Sequence, residues 1–187
     1  MKTKDLAYIA LFAAITAVLG LVPAIAVGPV PITAQTLGVM LAGAVLGARR
    51  GFLSQLLFLV LVAIGLPLLA SGTGGLAPFA GPTAGYLFSW PIAAFVVGWL
   101  TERFWSRYNL AWGILANVVG GILVIYAIGV PVLAVIADLS PRAAIVSGAL
   151  PFLIGDGIKA VVAAAIAVQV RRSYPVIERP QQAAALR

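Results

Sequence analysis

Asp156 and Lys159 stand in a run from Ala149 to Val170 that holds no other charged side chain. A run of that length and apolarity reads as a membrane-spanning helix. On insertion scales each charge buried in such a helix costs about 2.5–3.5 kcal/mol, so residues of this kind are functional by default. The i, i+3 spacing puts both on one helical face, one turn apart. A carboxylate accepts hydrogen bonds and an ammonium donates up to three. Together they offer a polar spot of both signs to a guest molecule, or they neutralise each other as an ion pair that locks the helix in place. The spacing alone permits both.

The rest of the chain must carry that spot into a membrane. Of its 187 residues, 63% are hydrophobic and 9% charged, against about 25% charged in soluble domains. Mean hydropathy is +1.12. The expectation is one transmembrane domain over residues 1–172, followed by a disordered cytoplasmic tail over residues 173–187. There is no cysteine and no histidine, which excludes disulfides, thiol chemistry and the usual zinc, haem and iron–sulfur ligand sets. No metal or other cofactor is expected. Five acidic residues leave little for general acid–base catalysis, and no glycine-rich lysine loop for nucleotide phosphates is present. An enzyme is therefore disfavoured. The formal charge of +7 would suggest nucleic acid in a soluble protein. Here the basic residues cluster at the ends of apolar runs, so they read as topology anchors, and no nucleic-acid partner is expected.

Six apolar segments follow one another: Asp5 to Val22, Ala34 to Ala48, Gly51 to Leu66, Thr83 to Leu100, Leu110 to Val130 and Ser147 to Val170. The first, preceded by Lys2 and Lys4, is long for a signal-peptide core and reads as a retained helix. Arg49 and Arg50 join segments two and three, Arg103 and Arg107 join four and five, and Arg171, Arg172, Arg179 and Arg187 follow the sixth. With six spans all these clusters fall on one side, which the positive-inside rule makes cytoplasmic. The expected fold is all-α: a polytopic membrane protein with six transmembrane helices, both termini cytoplasmic and apolar outer loops folded over a pocket.

Those outer loops are unusual in kind. Pro23 to Thr33 is apolar and carries Pro23, Pro29 and Pro31; Leu66 to Thr83 is apolar, with four glycines and three prolines. Proline breaks helices, and apolar irregular backbone near a membrane survives where protein or a cavity covers it. The loops read as lids over a pocket, with an interfacial position as the alternative. Thr33, Gln35 and Thr36 sit where the first loop meets a helix, as mouth residues or as caps and backbone partners. Tyr86 and Trp90 lie near the outer end of the fourth segment, as ligand-stacking or interfacial aromatics. Asn117 is expected to bond a neighbouring helix. Gly43, Gly47 and Gly51, and the pairs Ala10 with Ala14 and Ala13 with Ala17, read as close-packing stripes. Alanine on two faces of the first helix would let one pack inward and leave the other for a partner subunit.

Four stretches then carry a resemblance. They are Pro29-Val-Pro-Ile-Thr-Ala-Gln-Thr-Leu-Gly38, Leu41-Ala-Gly-Ala-Val-Leu-Gly47 with Arg50-Gly-Phe-Leu-Ser54, Gly65-Leu-Pro67 with Ala80-Gly-Pro-Thr-Ala-Gly-Tyr86, and Leu150-Pro-Phe-Leu-Ile-Gly-Asp-Gly-Ile-Lys159. In this order they resemble the BioY family, the biotin-specific substrate-binding subunits (S components) of energy-coupling factor transporters. Ala84 departs from the pattern, standing where many members carry glycine. The resemblance implies a six-helix bundle that captures biotin from outside. It implies partners too: the lipid bilayer, a membrane coupling subunit and two cytoplasmic ATPase subunits, with homo-oligomerisation open.

The resemblance assigns Asp156 and Lys159 to the substrate and Ala10 and Ala14 to docking of the coupling subunit. On that reading Asp156 accepts ureido N–H groups by charge-assisted hydrogen bonds. Lys159 donates to the ureido carbonyl or pairs with the tail carboxylate, the first being favoured. The N–H groups of Gly72, Gly74 and Gly75 are expected to form an anion nest at the mouth. Gln35, Thr36 and Tyr86 complete the expected contacts. The competing class is a stand-alone secondary transporter of biotin or a related vitamin with Asp156 as proton carrier. The expected location is a multi-pass position in a bacterial inner membrane.

Overall fold

A computed structural model describes residues 2–26 and 28–177. Seven α-helices carry the chain: α1 (Thr3–Leu19), α2 (Gln35–Leu46), α3 (Ala48–Ala63), α4 (Ala84–Arg103), α5 (Leu110–Ile136), the short α6 (Pro141–Gly148) and α7 (Leu153–Ser173). There is no β-strand among the described residues, only two isolated bridges, Ile25 with Ile32 and Leu69 with Thr73. Three stretches are long and apolar enough to cross a membrane: α4, α5 and Pro141–Ser173. With the shorter helices they form the all-α bundle of a polytopic membrane protein. Residues 178–187, the greater part of the expected tail, lie outside the described residues. Residues 174–177 leave the helix but stay on the bundle, where Val176 packs against the cluster around Leu46 and Val97.

Three element boundaries differ from the expectation, each for a local reason. Arg49 and Arg50 do not form the turn between the second and third helices. That turn is Gly47 alone, at φ 84° and ψ −179°, a conformation open to glycine and strained for other residues. Glu102 Oε1 accepts from the Ala48 N–H at 2.9 Å and so caps α3, while both arginines fall in the first turn of α3. The Gly43, Gly47, Gly51 series is therefore not a stripe on one helix. Gly43 meets α4, Gly51 meets α2, and Gly47 is the corner.

α5 extends beyond Val130 to Ile136 and contains a π-helical segment, Val119–Val124. The last long helix begins later than expected, at Leu153, after a 3₁₀ turn over Leu150–Phe152 that carries Pro151. Proline has no N–H to give and is tolerated at such an entry rather than inside a helix. The late start moves Asp156 from mid-span into the first turn of α7. There the positive end of the helix dipole favours a carboxylate.

α2 is the hub. Every residue from Gly38 to Leu46 is buried, and the helix packs against α1, α3, α4 and α7. Its 12 residues span about 18 Å at about 1.5 Å per residue, well short of a ~30 Å hydrocarbon core. Close backbone contact holds the hub together. A Cβ built on Gly43 would lie 2.5 Å from the Ala94 carbonyl oxygen, and one on Gly98 would lie 2.3 Å from the Ala48 nitrogen. Such small residues let helices approach where lipid supplies no hydrophobic drive.

The two ends of the bundle differ. At one end Arg50 ties three elements together: it bonds Asp5 of α1 at 3.2 Å, the Leu46 carbonyl of α2 at 3.1 Å and the Val176 carbonyl of the tail at 2.9 Å. Arg171 donates to the Tyr108 carbonyl and lies 4.6 Å over the Trp105 ring. At the other end the two apolar loops meet. Gln35 ties the second of them to α1: Nε2 donates to the carbonyls of Thr16 (3.1 Å) and Leu68 (3.0 Å), and Oε1 accepts from the Ala70 N–H (3.0 Å).

Two consequences are measurable. Gly98→Ala drives a methyl group into the α3 entry, so the thermal midpoint of the detergent-solubilised protein is expected to fall by about 5–10 °C. Gly157→Ala, with no heavy atom within 4 Å of the added carbon, leaves the midpoint unchanged or higher. Gln35→Leu strands the Ala70 N–H and two carbonyls, each at about 1–3 kcal/mol if left unpaired. Hydrogen exchange across residues 66–75 is expected to rise about tenfold or more, and exchange equal to that of the unaltered chain would disprove the tether.

Candidate functional site

Under the loops lies a cavity of about 440 Å³, within the roughly 300–1,000 Å³ typical of small-molecule sites. The first loop contributes Val30, Pro31 and Thr33, and the second lines one wall from Leu69 to Pro82. Tyr86, Leu87 and Trp90 of α4 add an aromatic wall, and the Trp90 ring lies 5.7 Å from that of Phe58 behind it. Ile125 and Tyr126 of α5, Phe152, and Asp156 and Lys159 of α7 close the remainder.

Nearly all of this surface is apolar. The exception is a closed network around Asp156, which is 4% exposed. Its Oδ1 accepts from Lys159 Nζ at 2.7 Å and from Thr36 Oγ1 at 3.2 Å; its Oδ2 accepts from Tyr126 Oη at 2.7 Å. Lys159 Nζ also donates to the Thr33 carbonyl at 2.6 Å and to Thr36 Oγ1 at 2.9 Å. Both charges face the cavity and also pair with each other. The ion pair and the polar spot for a guest, set out above as alternatives, are thus the same atoms.

The structure brings most of the expected residues together. Asp156, Lys159, Thr36, Gln35, Tyr86 and Gly74 all line the cavity. Two of them are committed elsewhere. The Gln35 amide is wholly engaged in the tether described above, and Tyr86 Oη donates to the Gly148 carbonyl at 2.7 Å, leaving its ring to the cavity. The three-glycine nest does not form. Gly75 lies off the cavity, its N–H donates to the Val62 carbonyl at 2.8 Å, and the Gly72 N–H donates to Leu69 at 3.0 Å. Asn117 Nδ2 donates to the Ala160 carbonyl at 3.4 Å, a bond from α5 to α7. Ala10 and Ala14 are far from the cavity on the exposed face of α1, while Ala13 and Ile9 are buried.

Tyr126 is the site residue that sequence patterns miss. Asn117 and Tyr126 are nine residues apart, which in a regular α-helix sets them about 180° apart. The intervening π turn inserts an extra residue and shifts the phase by roughly 100°, so that both reach α7. Gly120 and Gly121 lie in that turn, and a Cβ on either would meet α4 or Met40 at 2.5 Å. A Gly-Gly pair in a long apolar span was the available signal.

The sequence profile of the BioY family matches residues 1–176. A protein of Rhizobium etli called biotin transporter BioY is 52% identical over 184 residues, covering 95% of this chain and 98% of the relative. Biotin transporter BioY of Rhodobacter capsulatus is 47% identical, covering 92% of this chain and 95% of its own length. The crystal structure of the S-component for biotin from an ECF-type ABC transporter superposes with a TM-score of 0.88 at 32% identity, covering 94% of this chain and 97% of that one. By sequence along nearly its full length, and by fold, the chain belongs to the BioY family.

Proposed function

We propose that this chain is the substrate-binding membrane subunit for biotin uptake. It captures biotin from the outer side and delivers it with a membrane coupling subunit and two cytoplasmic ATPase subunits. The observation that carries this reading is the charged network at the apolar cavity (Asp156, Lys159, Thr36 and Tyr126) in a chain whose relatives are named biotin transporters. Biotin matches that cavity in kind: a bicyclic apolar body with a polar ureido head. The head is taken to meet Asp156, which accepts N–H donors in a site shielded from water. Tyr86, Trp90 and Phe152 flank the ring system, and the tail carboxylate points to the mouth past Gly74.

The topology follows the charge. Arg49, Arg50, Arg103, Arg107, Arg171 and Arg172 belong to the end away from the cavity, so that end is cytoplasmic and both termini lie inside. The cavity then opens outward, with the two apolar loops as its roof, in a bacterial inner membrane. Six spans arise if α1, α2 and α3 each cross beside α4, α5 and α7. No glycine-rich lysine loop for nucleotide phosphates occurs in the sequence, and α1 presents Ala10 and Ala14 outward for the coupling subunit.

Asp156→Asn keeps the shape of the side chain and removes its charge. Loss of a hydrogen bond to a charged group is worth about 1.5–3 kcal/mol, so the biotin Kd of the purified variant is expected to rise by about 10- to 150-fold. Titration calorimetry on monodisperse protein measures it, and undiminished affinity would rule Asp156 out as a contact. Ala10→Trp combined with Ala14→Trp is expected to leave biotin affinity within about twofold while abolishing co-purification with the coupling subunit and biotin uptake in cells. Uptake by the unaltered chain alone in liposomes, driven by a pH gradient, would instead establish the stand-alone transporter.

A further inference from the structure

Tyr126 decides which hydrogen-bond positions the cavity offers. A carboxylate has about four acceptor positions, two per oxygen. Both positions on Asp156 Oδ1 are filled, by Lys159 at 2.7 Å and Thr36 at 3.2 Å. One position on Oδ2 is filled by the Tyr126 hydroxyl at 2.7 Å. The ammonium has three protons, and all three are directed to chain acceptors: Asp156 Oδ1, the Thr33 carbonyl and Thr36 Oγ1. The network therefore presents no open donor. It presents one open charged acceptor, on Oδ2, and beside it the phenol oxygen of Tyr126, whose proton is engaged and whose lone pairs are not.

We propose that Tyr126 is a specificity-determining residue of the site: its hydroxyl occupies one position on Asp156 Oδ2, so that the carboxylate takes a single N–H of the ligand and the phenol oxygen stands 2.7 Å away as a neutral acceptor for a neighbouring donor. In this network Lys159 fills Oδ1, which leaves Oδ2 to the ligand. This rests on the reading of biotin as substrate and adds a distinction to it. The two ureido N–H groups point in different directions and are not equivalent in this cavity. One meets a charged acceptor, and the other meets at most a neutral one. Charge-assisted hydrogen bonds are about twice as strong as neutral ones.

The π turn is what delivers the hydroxyl. Without it Tyr126 would face away from α7, for the phase reason given above. Tyr126 lines the cavity in a half-buried position on α5, so its oxygen adjoins space that a ligand can enter.

The experiment uses the purified full chain and three ligands: biotin and the two cyclic carbamates that replace one or the other ureido N–H by oxygen. On the unaltered chain the carbamate that loses the N–H facing Asp156 is expected to bind about ten- to a hundredfold more weakly than biotin, and the other carbamate distinctly less so. In Tyr126→Phe the gap between the two carbamates shrinks by about tenfold, since both positions on Oδ2 are then open and the neutral acceptor beside them is gone. If the substitution weakens all three ligands by one common factor, Tyr126 only packs and the proposal is overturned. Should the phenylalanine variant fail to purify folded, the unaltered chain still decides: equal losses for the two carbamates also overturn it. Failure of the unaltered chain to bind biotin removes the substrate reading and this proposal together. Biotin binding that depends on Asp156 but shows a flat carbamate profile removes this proposal alone.

Discussion

Everything at the cavity end of the bundle depends on satisfying one buried carboxylate. Asp156 is nearly inaccessible, in surroundings where an uncompensated charge is costly. Four groups answer it: the dipole of its own helix N-terminus, Lys159 one turn on, Thr36 at the start of α2 and Tyr126 from α5. Lys159 in turn reaches the Thr33 carbonyl of the first loop. One charge thereby binds α7, α2, α5 and a roof segment into a single unit. The ion pair is a poor source of net stability, since desolvation offsets most of the attraction. What it fixes is geometry, and a binding site needs geometry to recognise a ligand.

The roof rests on a second polar device, built from neutral groups. Non-helical backbone among apolar residues has N–H and C=O groups that lipid cannot satisfy. The second loop meets this with its own bridge at Leu69 and Thr73, with the Gly75 N–H returned to Val62 at the end of α3, and with the Gln35 amide on both Leu68 and Ala70. Gln35 and Thr36 are adjacent in sequence and diverge in role. One side chain secures the loop, and the other completes the charged network. The N-terminus of the short hub helix is thus the junction between roof and floor.

Much of this was legible in the sequence, and the exceptions share a cause. The segments, the charge bias, the two apolar loops and the pairing of Asp156 with Lys159 all follow from composition and local spacing. Residues such as Gln35 and Thr36 were marked by their polarity in an apolar setting, though only the structure separates the tether from the network. The glycines of the second loop make no three-residue anion nest, because such a nest needs N–H groups free of backbone partners, and turn hydrogen bonds claim Gly72 and Gly75. The Gly47 corner was obscured by the arginines beside it, and the start of α7 by an apolar run that continues smoothly through Pro151. Tyr126 required a change of helical phase inside α5. Patterns of period 3.6 carry no information about where that period is interrupted.

α1 shows how the bundle keeps two surfaces apart while joining them mechanically. Its inner face carries Ile9, Ala13 and Thr16 against the core, and its outer face carries Ala10 and Ala14 in the open. Thr16 is the link to the site. Its carbonyl accepts from Gln35 and its hydroxyl from Gln55 Nε2 at 3.1 Å. The Gln35 amide that holds α1 also holds the roof loop. Gly20 and Gly38 allow this close approach: a Cβ on Gly20 would lie 2.5 Å from the Leu68 carbonyl oxygen, and one on Gly38 would lie 2.6 Å from the Thr16 hydroxyl. A displacement of α1 relative to α2 therefore cannot leave the roof unaffected, because one amide group spans all three elements with no flexible chain between them.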